Sequence, residues 1–169
     1  LCADKQRIGM DSQTTQNSWI ESLVNLLKVA TRIGSPMRDG VADPEQLSVM
    51  ELRIMLALGG EGGLAGHELA GLMAMQPMNV SRALASLAKM DLVKLSDNNG
   101  NRRRKPYRLT VSGAEKYDNM MLRMQEVSQF VFSGFDKNER RQLDGLLLKL
   151  DKTLIKWESP PETNHINRA

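Results

Sequence analysis

Residues 77–90, PMNVSRALASLAKM, run straight into residues 91–110, DLVKLSDNNGNRRRKPYRLT. Pro77 suits the first turn of a helix, where its missing N–H leaves no bond unmade. Val80, Leu84 and Leu87 then recur at helical spacing, so the first stretch reads as an amphipathic helix. In the second stretch, residues 92–96 and 105–109 read as short strands, and Asn99-Gly100 between them is a strong hairpin signal. Upstream, residues 66–75 read as a short helix with Leu69 and Leu72 inward. Two short helices joined by a tight turn and followed by a basic hairpin describe a winged helix-turn-helix.

The residue 77–90 helix has a chemical face. With Leu84 at the centre of the buried arc, Val80, Leu87 and Ala88 fall beside it, while Asn79, Arg82, Ser86 and Lys89 fall opposite, at about 100° per residue. Met78 and Ala85 lie at the flanks and Ser81 at the edge. An amide, a guanidinium, a hydroxyl and an ammonium are the groups that read base edges and grip phosphates in a major groove. Four consecutive cations in the hairpin, Arg102-Arg103-Arg104-Lys105, repel one another and call for an anion. Residues 79–110 hold eight basic and two acidic residues, a net +6; the whole chain is only +3, so the remainder is −3. That asymmetry points to a polyanion, and a wing of this kind lies along a DNA backbone with an Arg in the minor groove. The candidate interface is therefore Pro77, Met78, Asn79, Ser81, Arg82, Ser86 and Lys89 on the helix, with Arg102, Arg103, Arg104 and Lys105 on the wing.

The flanks are helical. Ile20, Leu23, Leu27 and Ala30 form a stripe within residues 17–33, widened by Trp19, Leu26 and Ile33. Residues 34–44, with two Pro and two Gly, read as a connection. A helix follows over residues 48–58, with Ser48 and Glu51 as a capping box, and the glycines of residues 59–63 end it. After the wing, a long helix capped by Thr110 or Ser112 runs to about residue 135. A last helix covers residues 137–157, with Leu143, Leu147, Leu150, Leu154 and Trp157 spaced 4, 3, 4 and 3, close to a coiled-coil seam. The expected organisation is a flexible arm (1–16), an N-terminal dimerisation helix and connection (17–46), a winged helix-turn-helix (47–112), C-terminal dimerisation helices (113–158) and a disordered tail (159–169). The fold class is mainly α, with a small β-hairpin wing.

Composition supports this. The chain has 169 residues, 41% hydrophobic, with only seven aromatic residues against 11 Met, a mix that favours packed helices over a β-sandwich. No apolar run approaches the roughly 18 residues of a membrane span, and the polar residues 1–18 do not read as a signal peptide. The single cysteine, Cys2, excludes an internal disulfide framework and a Cys-based zinc site. The two histidines, His67 and His165, are far apart in sequence, so a His-based metal sensor is not expected. His67, near a helix start, reads as a surface residue.

Residues 47–113 resemble the multiple-antibiotic-resistance regulator (MarR) family of bacterial transcription factors. The pieces that match are Leu52-Arg53-Ile54-Met55-Leu56, His67-Glu68-Leu69-Ala70, Asn79-Val80-Ser81-Arg82, Leu87-Ala88-Lys89-Met90-Asp91-Leu92-Val93 and Arg108-Leu109-Thr110-Val111-Ser112-Gly113. Their order and spacing carry the resemblance, and the flanking helices extend it over about residues 19–157. It implies a cytoplasmic, nucleoid-associated homodimer whose first and last helices interlock, with each winged helix in one half-site of a pseudo-palindromic operator. It implies that Arg103 takes the place of the family's minor-groove Arg. Asn101 stands where the family usually has Asp; Asn can hydrogen-bond there but carries no charge. Ala65 stands where the family often has a Thr or Ser cap, a loss of about 1 kcal/mol.

The resemblance further implies a repressor released by a small aromatic or phenolic carboxylate. Arg53, on an otherwise apolar helix where an unpaired guanidinium is costly, stands where such regulators hold a carboxylate, and Trp19 is placed to stack on a ring. Arg53 paired to Glu51, and Trp19 as core filler, are the structural alternatives. No cofactor is expected. An enzyme is not expected either: the Gly-rich residues 59–66 lack the Lys-Ser/Thr of a phosphate loop and follow no strand. The competing reading is a winged-helix interaction module whose basic wing binds an acidic protein.

Overall fold

The computed structural model describes residues 3–96 and 105–156, with side chains from Ser18 onward. The chain divides into two compact units, residues 1–128 and 129–169.

In the first unit, α1 (Ala3–Arg32) is continuous through the stretch expected as an arm. That stretch has no proline, and its polar residues do not break a helix. The expected connection is also mostly helical: α2 (Gly34–Met37) is followed by a π-turn (Arg38–Ala42). Pro36 falls in the first turn of α2, where a donor is not needed. Gly40 is required by packing, since a Cβ there would sit 2.6 Å from Val127 Cγ2.

α3 (Val49–Glu61) starts at Ser48, whose Oγ accepts from Glu51 N–H at 3.2 Å while Glu51 Oε2 accepts from Ser48 N–H at 2.7 Å. The glycines do not end α3 at once; Gly59 and Gly60 are helical, and the chain turns at Gly62 with φ 79°. β1 (Leu64–Ala65) leads into α4 (Gly66–Leu72). Ala65 has no side-chain acceptor for the cap, yet Glu68 Oε2 accepts from Ala65 N–H at 2.7 Å, so half of a capping box survives. α5 (Pro77–Lys89), β2 (Val93–Leu95), β3 (Pro106–Leu109) and α6 (Val111–Val131) follow. The sheet is antiparallel in the order β1-β3-β2, with Val93 opposite Leu109 and Leu64 opposite Tyr107. β1 has no periodic signal because two residues cannot show one.

One core joins these elements. Leu52, Ile54 and Met55 of α3, Leu69 of α4, Val80, Leu84 and Leu87 of α5, and Met120 of α6 are all buried in it. Burying a side chain of this size stabilises the fold by about 1.5–3 kcal/mol. Leu72, expected inward beside Leu69, is 54% exposed. α4 is only seven residues long, and Leu69 with Ala70 already covers its inner face.

Glu45, just before α3, is buried and accepts from Lys116 Nζ at 3.1 Å and from Arg123 Nε at 2.7 Å, two turns apart on α6. Burial alone would raise its pKa, but the hydrogen bonds from Arg123 and Lys116 outweigh that and hold its carboxyl below the ordinary 4.5. A depressed folded-state pKa stabilises the fold above the unfolded value, and that contribution is lost as pH falls through the folded value. Glu45→Gln is therefore expected to lose about 1 kcal/mol at pH 7. The gap to the parent should close as pH falls below the ordinary carboxylate range, read from denaturant unfolding at a series of pH values.

The second unit is described to residue 156. α6 ends at Val131, earlier than expected, because Phe132–Phe135 makes a corner with the two rings edge-to-face at 5.8 Å. Arg140 Nη2 donates to Phe132 O at 3.2 Å across that corner. α7 (Lys137–Leu154) is capped by Asp136, whose Oδ1 accepts from Asn138 N–H at 2.7 Å and Glu139 N–H at 2.9 Å. No side chain of α7 is buried. Of the expected seam, Leu143 is half-buried and Leu147, Leu150 and Leu154 are exposed. Trp157 and the tail expected over residues 159–169 lie outside the described residues.

Candidate nucleic-acid interface

α5 is positioned by a tight turn. Met75 N–H donates to Ala70 O at 2.9 Å, and Ala74 takes a left-handed φ of 49° to make the reversal from α4. Pro77 is the first helical residue, and Gln76 makes no side-chain cap bond, so the N-terminal turn stands open to solvent.

Val80, Ala83, Leu84 and Leu87 are the buried residues of α5. Their mean direction lies roughly 50° from Leu84, on the Ala83 side, at 100° per residue. That rotation carries Ala88, expected near the core, out into solvent. It also moves Met78 and Ala85 from the flanks to the outer pole, where they line up with Arg82 and Lys89 at spacings of 4, 3 and 4. Asn79, Arg82 and Lys89 are exposed, as expected of the outward face, and Pro77, Met78 and Ser81 of the candidate set are exposed as well.

Ser86 differs. It is half-buried, and its hydroxyl hydrogen-bonds the buried Glu51 of α3. Burial would raise the Glu51 pKa, but hydrogen bonds with Ser86 and Ser48 hold its carboxyl below the ordinary value. Ser86 thus ties α5 to α3 rather than standing clear on the outer face. Both residues line a groove of about 390 Å³ that also holds Asn79 and Arg82.

The wing strands add two cations that the candidate set lacked. The register places Lys94 directly opposite Arg108, and both side chains are exposed. Like charges directly opposite in an antiparallel pair are destabilising unless an anion sits over them. Both belong to the basic excess of residues 79–110, but only the strand register brings them together. Lys105 is exposed where β3 begins. Arg102, Arg103 and Arg104, with Asn101, lie outside the described residues.

The wing is anchored at its base. Thr110 Oγ1 donates to Asp91 O and accepts from Gly113 N–H at 2.9 Å, so Thr110, not Ser112, caps α6. Arg53 does not lie among apolar neighbours: Leu52, Ile54 and Met55 turn inward and leave it in solvent. Glu51 is taken by Ser48 and Ser86 instead. Trp19 fills no core; it is 71% exposed on α1. His67 is exposed. Among the described residues, no group of three His, Cys, Asp or Glu could hold a metal ion, and no helix is long and apolar enough to cross a membrane.

No family model and no curated relative matches the sequence. Solved structures do match. A MarR-family transcriptional regulator from Silicibacter pomeroyi aligns at a TM-score of 0.67 and 22% identity, over 82% of this chain and 91% of the other. A mutant MarR from E. coli, solved with operator DNA, aligns at 0.68 and 17%, over 79% and 96%. The chain has the MarR-type fold. BpsR of Bordetella bronchiseptica, whose DNA binding is described as regulated by 6-hydroxynicotinic acid, aligns at 0.66 and 21%, over 77% and 98%. In this MarR-type fold α4 and α5 are the helix-turn-helix pair, β2 and β3 the wing strands, and α1, α6 and α7 the flanking helices.

Proposed function

We propose that this chain is a sequence-specific regulator that binds double-stranded DNA, with α5 in the major groove and the basic wing along the backbone and minor groove. One observation carries the reading: the solvent pole of α5 presents Arg82 and Lys89 in one stripe beside Asn79, on a MarR-type fold. Lys94 opposite Arg108 supports a polyanion over the wing.

The protein acts as a homodimer on a pseudo-palindromic operator. The exposed Ile20, Leu23 and Leu27 of α1, and Leu147, Leu150 and Leu154 of α7, support a second copy as their cover. It is a repressor released by a small aromatic or phenolic carboxylate, with Arg53 and Trp19 as candidate contacts. A regulator of the same fold that responds to an aromatic hydroxy acid supports that effector class.

The test is selection from random duplexes, followed by titration of the selected duplex against salt. A protein–DNA complex loses affinity steeply as salt rises, with a slope set by the phosphates neutralised. Selection of no sequence, together with tight binding to an acidic polypeptide, would establish the interaction-module reading instead. Arg82→Ala is expected to cost about 1–3 kcal/mol in binding and to blur base preference at one position of the half-site. Repeating the selection with the variant measures both.

A further inference from the structure

We propose that the Met78 thioether is an oxidant-sensitive DNA contact, so that conversion to the sulfoxide by a peroxide releases the protein from its operator; this rests on the DNA-binding reading above. The chain is rich in Met, and most of those sulfurs have packing roles: Met55 and Met120 are fully buried, and Met73 and Met75 pack against the core. Met78 is different. It is 64% exposed and stands with Arg82, Ala85 and Lys89 at the outer pole of α5. Most of this unbranched apolar side chain is left uncovered, and it is placed for contact with apolar base edges such as thymine methyl groups.

The same placement makes the sulfur open to oxidants. A sulfur lone pair attacks one peroxide oxygen; the S–O bond forms, the O–O bond breaks, and the second oxygen leaves as water or alcohol. Sulfur is oxidised by two electrons and the peroxide is reduced by two, giving the sulfoxide.

The product is mismatched to the site. The sulfoxide is polar, with a negative oxygen, at the start of a helix whose first bonds are made by Asn79 and Val80 to Gln76 O. The N–H of Met78 precedes those bonds, and Gln76 provides no side-chain cap. The new oxygen replaces an apolar contact with a dipole and sets a partial negative charge where the DNA phosphates approach.

The test uses the full chain with Cys2→Ser, so that no thiol reacts, alone and combined with Met78→Leu. Each is treated with graded hydrogen peroxide and mapped by mass spectrometry. Each is then titrated with the duplex selected by the unoxidised protein and compared with its own unoxidised form. Oxidation of Met78 is expected to weaken binding about tenfold, and Met78→Leu to limit the loss to less than about twofold. Prebound duplex should slow oxidation at Met78 but not at Met121, which is exposed on α6. A methionine sulfoxide reductase should restore binding. An equal loss in the Met78→Leu protein, or full conversion of Met78 with affinity unchanged, overturns the proposal. If the unoxidised protein selects no duplex, the DNA-binding reading fails before any oxidant is added, and this inference falls with it.

Discussion

Leu150→Glu is expected to give a monomer whose affinity for the selected duplex is reduced by a hundredfold or more. Leu150 lies in the middle of the α7 stripe, between Leu147 and Leu154, and all three are exposed in the single chain. α7 is well capped at its start by Asp136 and Glu139, so the helix itself should survive the change. Covering the stripe with a second copy buries Leu150 twice, once per subunit, at about 1.5–3 kcal/mol each. A carboxylate there loses that burial and adds a charge that cannot be desolvated without a partner. Two half-sites held by one dimer benefit from a high effective concentration, which a monomer lacks. Light scattering coupled to size exclusion reads the mass, and titration reads the affinity. A variant that stays dimeric and binds as tightly as the parent would remove α7 from the dimer interface.

Gly113→Ala is expected to destabilise the first unit by about 3 kcal/mol, or roughly 10 °C in Tm. A Cβ at this position would lie 1.9 Å from Leu92 O and 2.9 Å from Leu92 C. Both are backbone atoms, and Leu92 is held on both sides: its N–H donates to Leu87 O at 2.9 Å, and its O accepts from Thr110 N–H at 3.1 Å. The clash therefore cannot be relieved by a rotamer change. Either α6 moves off the wing base or the Thr110 cap breaks, and in both cases the wing loses its anchor. Gly145→Ala is the natural control, since a Cβ there meets nothing within 4 Å and alanine is the better helix former. Thermal unfolding of both variants measures the contrast. A Gly113→Ala protein as stable as the parent would show that α6 can move off Leu92 at no cost.

Much of this was legible one residue at a time. Ser48 and Glu51 mark the start of α3 because a capping box is a local bonding pattern, complete within four residues. Pro77 marks the start of α5 for the same kind of reason. The outward Arg82 and Lys89 follow from helical periodicity, since residues four and seven apart share a face whatever the helix packs against. The basic excess of residues 79–110 needs only counting.

Other features required the packed chain. The rotation of α5, which takes Ala88 out and Met78 to the pole, is set by the packing of α5 on α3 and α4, which buries Ala83 as well as Leu87. Ser86 turns from a free hydroxyl into a tie because Glu51, from a distant part of the sequence, is buried beside it. Arg53 faces water because Leu52, Ile54 and Met55 already satisfy the inner face of α3. Lys94 meets Arg108 only through strand register, and β1 exists only as a partner for β3.

Local bonding and periodicity therefore determined, from the sequence alone, that this protein has a winged helix-turn-helix with a basic face between long helices. Which side chains join Arg82 and Lys89 on that face, and which leave it, was decided by contacts between segments far apart in the chain. Such contacts depend on volume and register, and neither is carried by any short stretch of residues.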